Sequence, residues 1–108
     1  MAYKVLAQSN PSATTATTLY TVPASSAAVI STITVCNQAA SAASYRIAVR
    51  PAGATLAAVH YIAYDIAIAA NDTTALTLGI TVAATDVITV YASSATLSFH
   101  AYGSDLAQ

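Results

Sequence analysis

Nucleophilic catalysis in this chain would have to use its serines and its two histidines. Eleven serines are present beside His60 and His100, and four aspartates are available to orient a histidine base. A nucleophile, a base and an orienting carboxylate must lie within hydrogen-bonding distance of one another. No Gly-x-Ser-x-Gly elbow occurs, and neither histidine lies in a catalytic motif. His60 is expected only to open a strand, and His100 to share a face with Thr96, Ser98 and Tyr102, so no catalytic residue is predicted.

The four aspartates are the only side-chain carboxylates, because the chain has no glutamate. Two of them placed together would suit glycoside hydrolysis. Three fall at predicted turns or in the C-terminal tail, where aspartate commonly bonds to the backbone. Asp65 lies inside a predicted strand, out of phase with its apolar face, and therefore needs a cationic partner. Arg46 or Arg50 would serve, and we expect a structural ion pair rather than catalysis.

Metal and cofactor chemistry finds little support in the residues. His60 and Asp65 form a loose pair, and no aspartate-rich calcium loop occurs. A single cysteine excludes an intramolecular disulfide and a multi-cysteine metal site, and three glycines cannot build a phosphate-binding loop. Cys36 ends a strand among apolar neighbours and is expected to be a small buried hydrophobe. The sequence therefore predicts no metal and no cofactor.

Charge is scarce in this chain of 108 residues. Charged side chains make up 6 %, against about 25 % in an average soluble domain, and the net charge is −1. Such a balance lacks the basic surface of a nucleic-acid binder and the polybasic segment of a membrane anchor. A hydrophobic content of 56 % with low net charge excludes a disordered chain. We expect one folded domain, residues 1–108, without a nucleic-acid or membrane partner.

The apolar segments suggest where the protein is made. Residues 1–8 run into a polar segment too early for a signal peptide. The most apolar segment, residues 56–70, contains His60 and Asp65 and falls short of the ~20 residues that span a bilayer. Synthesis and first folding in a cytoplasm are therefore expected.

Apolar residues recur with a period of two, which is typical of strands. Alanine, the best helix former, occurs 27 times but is interleaved with β-branched and hydroxyl residues. Eight strands are predicted, at 3–8, 18–22, 28–37, 44–50, 60–69, 74–82, 87–92 and 96–102. The tail, 103–108, is expected to end free or to dock on a neighbour. With no helix for a parallel crossover, the fold class is all-β: an antiparallel β-sandwich in jelly-roll or immunoglobulin-like order.

Alternation predicts which side chains face the core. The β-branched residues of 28–37 indicate a central strand packed on both sides. Four further strands each have one apolar face: Tyr45, Ile47 and Val49; Ile62, Tyr64, Ile66 and Ile68; Leu76, Leu78, Ile80 and Val82; and Leu97, Phe99 and Ala101.

Thr, Ser and Ala occupy the predicted solvent faces, where an independent soluble domain carries Lys and Glu. A single lysine is available to protect strand edges from pairing with another chain. Exposed apolar surface generally marks interaction sites, so a self-associating or lattice-associated module is expected. Tyrosine and arginine concentrate binding energy at interfaces, which makes Arg46, Arg50 and Tyr61 the first interface candidates. Tyr61 and Tyr64 have opposite phase on one strand, so one of them is expected to face outward; the alternative for any single tyrosine is a place at the end of the core.

An ordered series of segments runs through the chain. The segments are TTLYTVPA (17–24), VISTITVCN (29–37), YRIAVRPAG (45–53), HYIAYD (60–65), AANDT (69–73), 78–90, 92–99 and GSD (103–105). In this order they resemble small structural proteins of tailed bacteriophages. The likeness covers nearly the whole chain, and its specificity lies in the order, since each piece alone is a generic strand or turn. The chain departs from the family by being richer in alanine and by having Gly-Ser-Asp where the family has Gly-Ser-Glu.

The resemblance implies a virion structural protein, labelled in that family as a tail, fibre-associated or capsid-decorating component, with no catalytic or metal-binding residues. The expected function is therefore non-enzymatic: copies decorate or cement the capsid surface by shape. The expected partners are other virion proteins, namely the major capsid protein or tail and neck subunits. A homo-oligomer is expected, and a trimer is suggested by the resemblance alone. The expected location is the virion, assembled in the host cytoplasm.

Other function classes stay open at this point. A neck, tail or fibre-associated protein, or a host-surface (glycan) binding module, would present aromatic and polar residues on loops at one end of the sandwich. An enzyme would lose an activity on mutation of His60, His100 or Asp65. A pilus-like adhesin would require a secretion signal or a donor strand, and neither is visible.

Overall fold

The computed structural model describes residues 3–107. Within them nine strands account for most of the chain, and two short 3₁₀ turns, Pro51–Gly53 and Ala58–His60, precede the fifth strand. No helix in this part of the chain is long and apolar enough to cross a membrane. The strands are β1 (Lys4–Ser9), β2 (Thr17–Thr21), β3 (Ser26–Asn37), β4 (Ala43–Arg50), β5 (Tyr61–Ile68), β6 (Thr73–Leu76), β7 (Ile80–Val82), β8 (Val87–Ala92) and β9 (Leu97–Ala107).

The strands form two antiparallel sheets packed face to face, which confirms the predicted β-sandwich. The first sheet has the order β1-β9-β3-β6, with β7 also paired to β3, and the second has the order β2-β8-β4-β5. If β6 and β7 are counted as one interrupted strand, the chain forms a long antiparallel hairpin that is wrapped into two sheets. In this hairpin β1 pairs with β9, β2 with β8 and β4 with β5. This is the jelly-roll order. An immunoglobulin-like sandwich would place its first two strands in one sheet, whereas β1 and β2 lie in different sheets.

The core lies between the sheets and follows the predicted alternation in β4 and β9. Tyr45 and Ile47 of β4 are fully buried, and the ring of Tyr45 packs edge-on against Phe99 of β9, with centroids 6.2 Å apart. Edge-to-face aromatic pairs of this kind add stability beyond the area they bury. The remaining fully buried large side chains come mainly from the central strands: Ile30, Ile33, Val35, Ile88, Val90 and Leu97.

Asn37 holds three loops together at one end of the sandwich. Its Nδ2 donates to the carbonyl oxygens of Ser41 (2.9 Å) and Ala69 (3.2 Å), and its Oδ1 accepts from the Ala39 amide and the Thr96 hydroxyl, both at 3.1 Å. The side chain is buried, and these four bonds use two donors and both acceptor positions of the amide. Burial of this polar group is therefore compensated.

The predicted strand over 74–82 is wrong as a single element. Leu76 pairs with Ile33, and Ile80 with Ile30, so three residues on this side face two on β3. Residues 77–79 therefore leave the ladder, and Gly79, with φ of +62°, makes the bend. Leu78 is half exposed rather than on a core face.

The prediction that 103–108 ends free or docks on a neighbour is also wrong for 103–107, because β9 continues to Ala107 beside β3; Gln108 lies outside the described residues. A bulge at Ser31 of β3 lies opposite the junction of Tyr102 and Gly103. A Cβ on Gly103 would overlap the carbonyl oxygen of Val29 and lie 2.9 Å from its carbonyl carbon. Only glycine allows this close approach, so pairing continues past the predicted end of the strand.

Every sheet edge in residues 3–107 is irregular. The register shifts between Val5 and Ala7 in β1 and between Thr18 and Tyr20 in β2. It shifts twice in β5, and the β6–β7 edge is split. Bulges and short strands hinder pairing with a strand of another chain. The protection that charged residues usually give is thus provided by backbone geometry.

Candidate functional site

The outer face of the second sheet carries a cluster of tyrosine and arginine side chains around Arg46. Arg46 lies on β4 between the buried residues Tyr45 and Ile47, so its side chain points away from the core. It is the cross-strand partner of Tyr91 on β8. Its guanidinium carbon lies 4.3 Å from the centroid of the Tyr91 ring and 4.2 Å from that of Tyr64. The cation is held between two aromatic rings, an arrangement that both attracts and orients it.

A bulge in β5 places Tyr64 and Asp65 beside Arg46. Tyr45 pairs with Ile66 and Ile47 with Ala63, so two residues of β5 lie opposite the single residue Arg46. Asp65 has φ of +51°, in the left-handed region that aspartate tolerates better than most residues. The bulge thereby redirects two consecutive side chains toward one arginine.

Asp65 pairs with Arg46, as predicted from its phase in the strand. Arg46 Nε donates to Asp65 Oδ1 at 2.6 Å, and Nη2 donates to Oδ2 at 3.3 Å. The hydrogen bond and charge of Asp65 raise the pKa of Arg46 above its ordinary value, against a smaller opposing effect of desolvation. The side chain of Asp65 remains 48 % exposed, compared with 24 % for Arg46. The Arg46 guanidinium and the Asp65 carboxylate thus form a planar, hydrogen-bonded pair, called the fork below. Its Asp65 side remains accessible to solvent.

Tyr61 joins this surface because of a second bulge. Ile47 pairs with Ala63 and Ala48 with Tyr61, which leaves Ile62 as an extra residue. Tyr61 and Tyr64, predicted to have opposite phase, therefore lie on one face, and their rings meet edge-on with centroids 4.9 Å apart at 84°. The predicted opposite phase is therefore wrong, because both rings line the same surface.

An open depression of about 680 Å³ lies beside the two rings. Its lining consists of Leu56, Ala57, Ala58, Tyr61 and Tyr64. The amide of Ala57 donates to Nδ1 of His60 at 3.0 Å, which fixes the 3₁₀ turn that forms one wall. His60 thus ends this turn immediately before β5 and does not open the strand.

Arg50, the third interface candidate, is committed to contacts within the chain. Its Nε donates to the Thr89 hydroxyl at 3.0 Å, and its Nη1 donates to the carbonyl oxygen of Ala54 at 3.1 Å. The segment after β4 is therefore tied to the outer face of the second sheet. The prediction that Arg46, Arg50 and Tyr61 form an interface stays a prediction.

The predicted apolar face of strand 60–69 is wrong for three of its four residues. Only Ile68 is buried, whereas Ile62, Tyr64 and Ile66 are 43–55 % exposed. Two bulges break the alternation, and β5 lies at a sheet edge, where less of each side chain is covered. A larger apolar surface is therefore exposed near the arginine–tyrosine cluster than the alternation implies.

A second surface lies on the outer face of the first sheet. Val29 pairs with both Ser104 and Thr81, on the side opposite to the buried Ile30. Together with Ala27, Leu106 and the buried residues Ala28 and Val82 they border a shallow groove of about 320 Å³. The hydroxyl of Ser104 is buried and makes no hydrogen bond to any described residue. Leu106 at the groove is 50 % exposed.

The aspartates predicted at turns divide into two groups. Asp72 and Asp86 accept backbone amides as expected, and Asp86 holds those of both Ala52 and Ala83 at 2.8 Å. Asp105, predicted to lie in the tail, belongs to β9 and forms an ion pair with Lys4 at 3.2 Å.

The remaining candidate residues lie apart from one another. His100 shares a face with Tyr102, as predicted, and its Nδ1 lies 3.1 Å from the Tyr102 hydroxyl and 3.3 Å from Gln8 Nε2. Cys36 is half-buried rather than buried, because it alternates with the inward-facing Val35 and Asn37. Among residues 3–107 no three His, Cys, Asp or Glu side chains come close enough to hold a metal ion.

Relatives offer no guidance on the chemistry of these surfaces. No family model, curated protein or solved structure matches this chain.

Tyr64 and Tyr91 are the two residues of the cluster that were not predicted as site residues. Each lies in a predicted strand, but its proximity to Arg46 depends on the pairing of β8, β4 and β5. No local pattern in the sequence gives that pairing.

Proposed function

We propose that this protein is a non-enzymatic structural component of a bacteriophage virion that decorates or cements the capsid surface. The observation that carries the proposal is the combination of irregular strand edges with large apolar side chains exposed on both sheets. Such a molecule attaches to neighbours through its faces, by shape, rather than by adding strands. The ordered resemblance to small virion proteins supports the same role and a location in the virion, assembled in the host cytoplasm.

We propose that the groove on the first sheet is the docking site for another virion subunit, the major capsid protein or a tail or neck subunit. Its border is apolar apart from Thr81 and Ser104. Leu106 at this border is 50 % exposed, so an apolar side chain of the partner can reach it.

Modest contacts suffice for this role when many copies act together. Apolar burial contributes about 25 cal/mol per Å² before ordering and association costs are subtracted. A homo-oligomer, with a trimer as the first symmetry to test, would engage several sites at once and so multiply weak contacts into stable attachment.

Substitution of Leu106 by lysine tests this docking site. Leu106→Lys places a charge at the apolar groove, and we expect the number of copies in purified virions to fall about tenfold or more. Leu78→Lys is the matched control, because Leu78 is also 50 % exposed but lies in the β6–β7 connection, outside the groove. Quantitative mass spectrometry of particles measures both variants.

Two results would count against the proposal. Equal incorporation of both variants would place the attachment surface elsewhere. Absence of the unmodified chain from purified particles would remove the virion role altogether.

A second candidate, a neck, tail or fibre-associated protein or a host-surface binding module, is favoured by the depression beside Tyr61 and Tyr64. Exposed aromatic rings next to a polar fork are a feature of recognition surfaces rather than of inert shells. The copy number per particle separates the candidates, since hundreds indicate the capsid surface and a dozen or fewer indicate neck, tail or fibres.

A further inference from the structure

We infer that the depression beside Tyr61 and Tyr64 binds an uncharged sugar ring, a hexopyranose of a cell-surface or soluble glycan. The inference builds on the host-surface candidate above and does not depend on capsid attachment. It combines three features of the surface: two perpendicular aromatic rings, a fixed polar fork and balanced charge.

The aromatic rings provide a flat apolar support. Tyr61 and Tyr64 both line the depression and meet at 84°, so they form a corner. A pyranose has one face made largely of C–H bonds, which packs on an aromatic ring, while its hydroxyls point outward around the rim. A ring ligand lying on one tyrosine would be stopped by the edge of the other. The T-shaped contact and the neighbouring Arg46 fix the rings before any ligand arrives, which lowers the ordering cost of binding.

The fork of Arg46 and Asp65 provides hydrogen bonds beside this support. Arg46 directs Nε and Nη2 toward Asp65, while Nη1 donates no hydrogen bond to the described residues. The half-exposed carboxylate retains free lone pairs. An adjacent acceptor and donor held in one plane match two neighbouring hydroxyls of a sugar, each of which both donates and accepts. Neither Arg46 nor Asp65 lines the depression, but Tyr64 contacts Arg46 and precedes Asp65 in the bulge, so a ligand that extends past Tyr64 meets this fork.

Charge balance argues for an uncharged ligand. The positive charge of Arg46 is compensated by Asp65 at 2.6 Å, and the depression is lined only by Leu, Ala and Tyr side chains. A sulfated or carboxylated sugar would meet no unpaired cation, and a cationic ligand would meet no unpaired carboxylate. A polar, uncharged ring is the chemistry that this surface complements.

The size and openness of the depression suit one or two sugar units. Its volume of about 680 Å³ lies within the usual range of small-molecule sites, about 300–1,000 Å³. An open site with two rings and one fork should bind a monosaccharide with a Kd on the order of 1 mM. Multiple copies on one particle would raise the effective affinity.

Saturation-transfer NMR on the full chain tests the inference, with glucose, galactose, mannose and N-acetylglucosamine as probes. At least one should receive saturation, with its C–H face enhanced over its hydroxyl edge. Tyr61→Ala should weaken binding about tenfold or more, since stacking on the ring is lost. Asp65→Asn retains a side chain that accepts positive φ but disturbs the fork, and should weaken binding less. Tyr3→Ala, which removes a 74 % exposed tyrosine immediately before β1, should leave binding unchanged.

Tyr61→Phe guards against a folding defect in Tyr61→Ala, because it keeps the aromatic ring. It should retain most of the binding and a circular dichroism spectrum like that of the unmodified chain. Either no transfer to any of the four sugars, or equal transfer in Tyr61→Ala, would overturn the inference.

Two further results would show that the same surface binds a different class of ligand. Stronger binding of glucuronic acid than of glucose would contradict the charge argument. Concentration-dependent shifts of the Tyr61 and Tyr64 resonances without sugar would assign the surface to a second copy of the chain. In either case the sugar class falls, while attachment to particles, measured with Leu106→Lys, is judged separately.

Discussion

The hydroxyl of Tyr45 is an unusual group to find in the core of this sandwich. The residue is fully buried, and its oxygen has no hydrogen-bond partner among the described residues. A buried polar atom without a partner costs about 1–3 kcal/mol relative to one that is satisfied. The ring fills the core well, so the unfavourable contribution comes from the single oxygen.

Tyr45→Phe is therefore expected to raise the free energy of unfolding by about 1 kcal/mol at neutral pH. Its effect should also depend on pH. Burial raises the pKa of Tyr45 above its ordinary value of 10.0, so the native state favours the protonated hydroxyl. The contribution of the protonated Tyr45 hydroxyl to the free energy of unfolding is fully present below about pH 10. It is lost as pH rises through the folded-state pKa.

Urea unfolding at pH 7 and above pH 10 measures both effects of Tyr45→Phe. The variant should lose less stability than the unmodified chain in alkali. Some loss should remain, because burial and the charge of Asp105 also raise the pKa of Tyr20. A variant destabilised by more than about 1 kcal/mol at neutral pH would mean that the hydroxyl has a partner.

Among the described strands, the pairing of β3 with β9 is the longest, and it depends on one glycine. Eleven pairs of residues join the two strands across the bulge at Ser31. An added methyl group at Gly103 would meet backbone atoms of Val29 and Ile30, which cannot move aside like a flexible side chain.

Gly103→Ala is expected to destabilise the fold by about 3 kcal/mol, because the strands must separate locally. Gly79→Ala is the comparison, since Gly79 has φ of +62° but no neighbouring atom within 4 Å of an added Cβ. It should cost only about 1 kcal/mol, from backbone strain alone. Thermal and urea unfolding give the order of the two, and equal losses would show that steric overlap at Gly103 is relieved without cost.

Taken as a whole, the molecule owes its stability to burial and backbone pairing rather than to charge. Residues 3–107 contain two ion pairs, Lys4–Asp105 and Arg46–Asp65, and both lie at the surface. Surface pairs contribute little and are screened by salt. The extensive core lies between the sheets, where salt has no such effect.

Raising NaCl from about 0.05 to 0.5 M should therefore shift Tm by less than roughly 5 °C. Differential scanning calorimetry measures the shift. A fall well beyond that limit would assign a structural role to charge that the two pairs do not explain. Asp65→Asn, which removes one pair, should make the remaining salt dependence smaller still.

The fold class and much of the core follow from the residues alone. A strand exposes alternate faces, so each apolar residue of 44–50 and 96–102 identifies its own side, and Tyr45, Ile47, Leu97 and Phe99 are buried as predicted. The ion pair of Asp65 was predictable for the same reason, because a carboxylate in a strand needs a cation within reach. Each of these properties depends on the sequence of a single strand or on the type of a single residue.

Tertiary structure was needed wherever the outcome depended on two strands at once. The jelly-roll order, the bulges that bring Tyr61, Tyr64 and Asp65 around Arg46, and the continuation of β9 past Gly103 all arise from register between segments distant in sequence. A bulge shifts every following side chain to the other face, and its position is defined by the register with the neighbouring strand. The chain thus encodes its strands locally, while the arginine–tyrosine cluster exists only after those strands have paired.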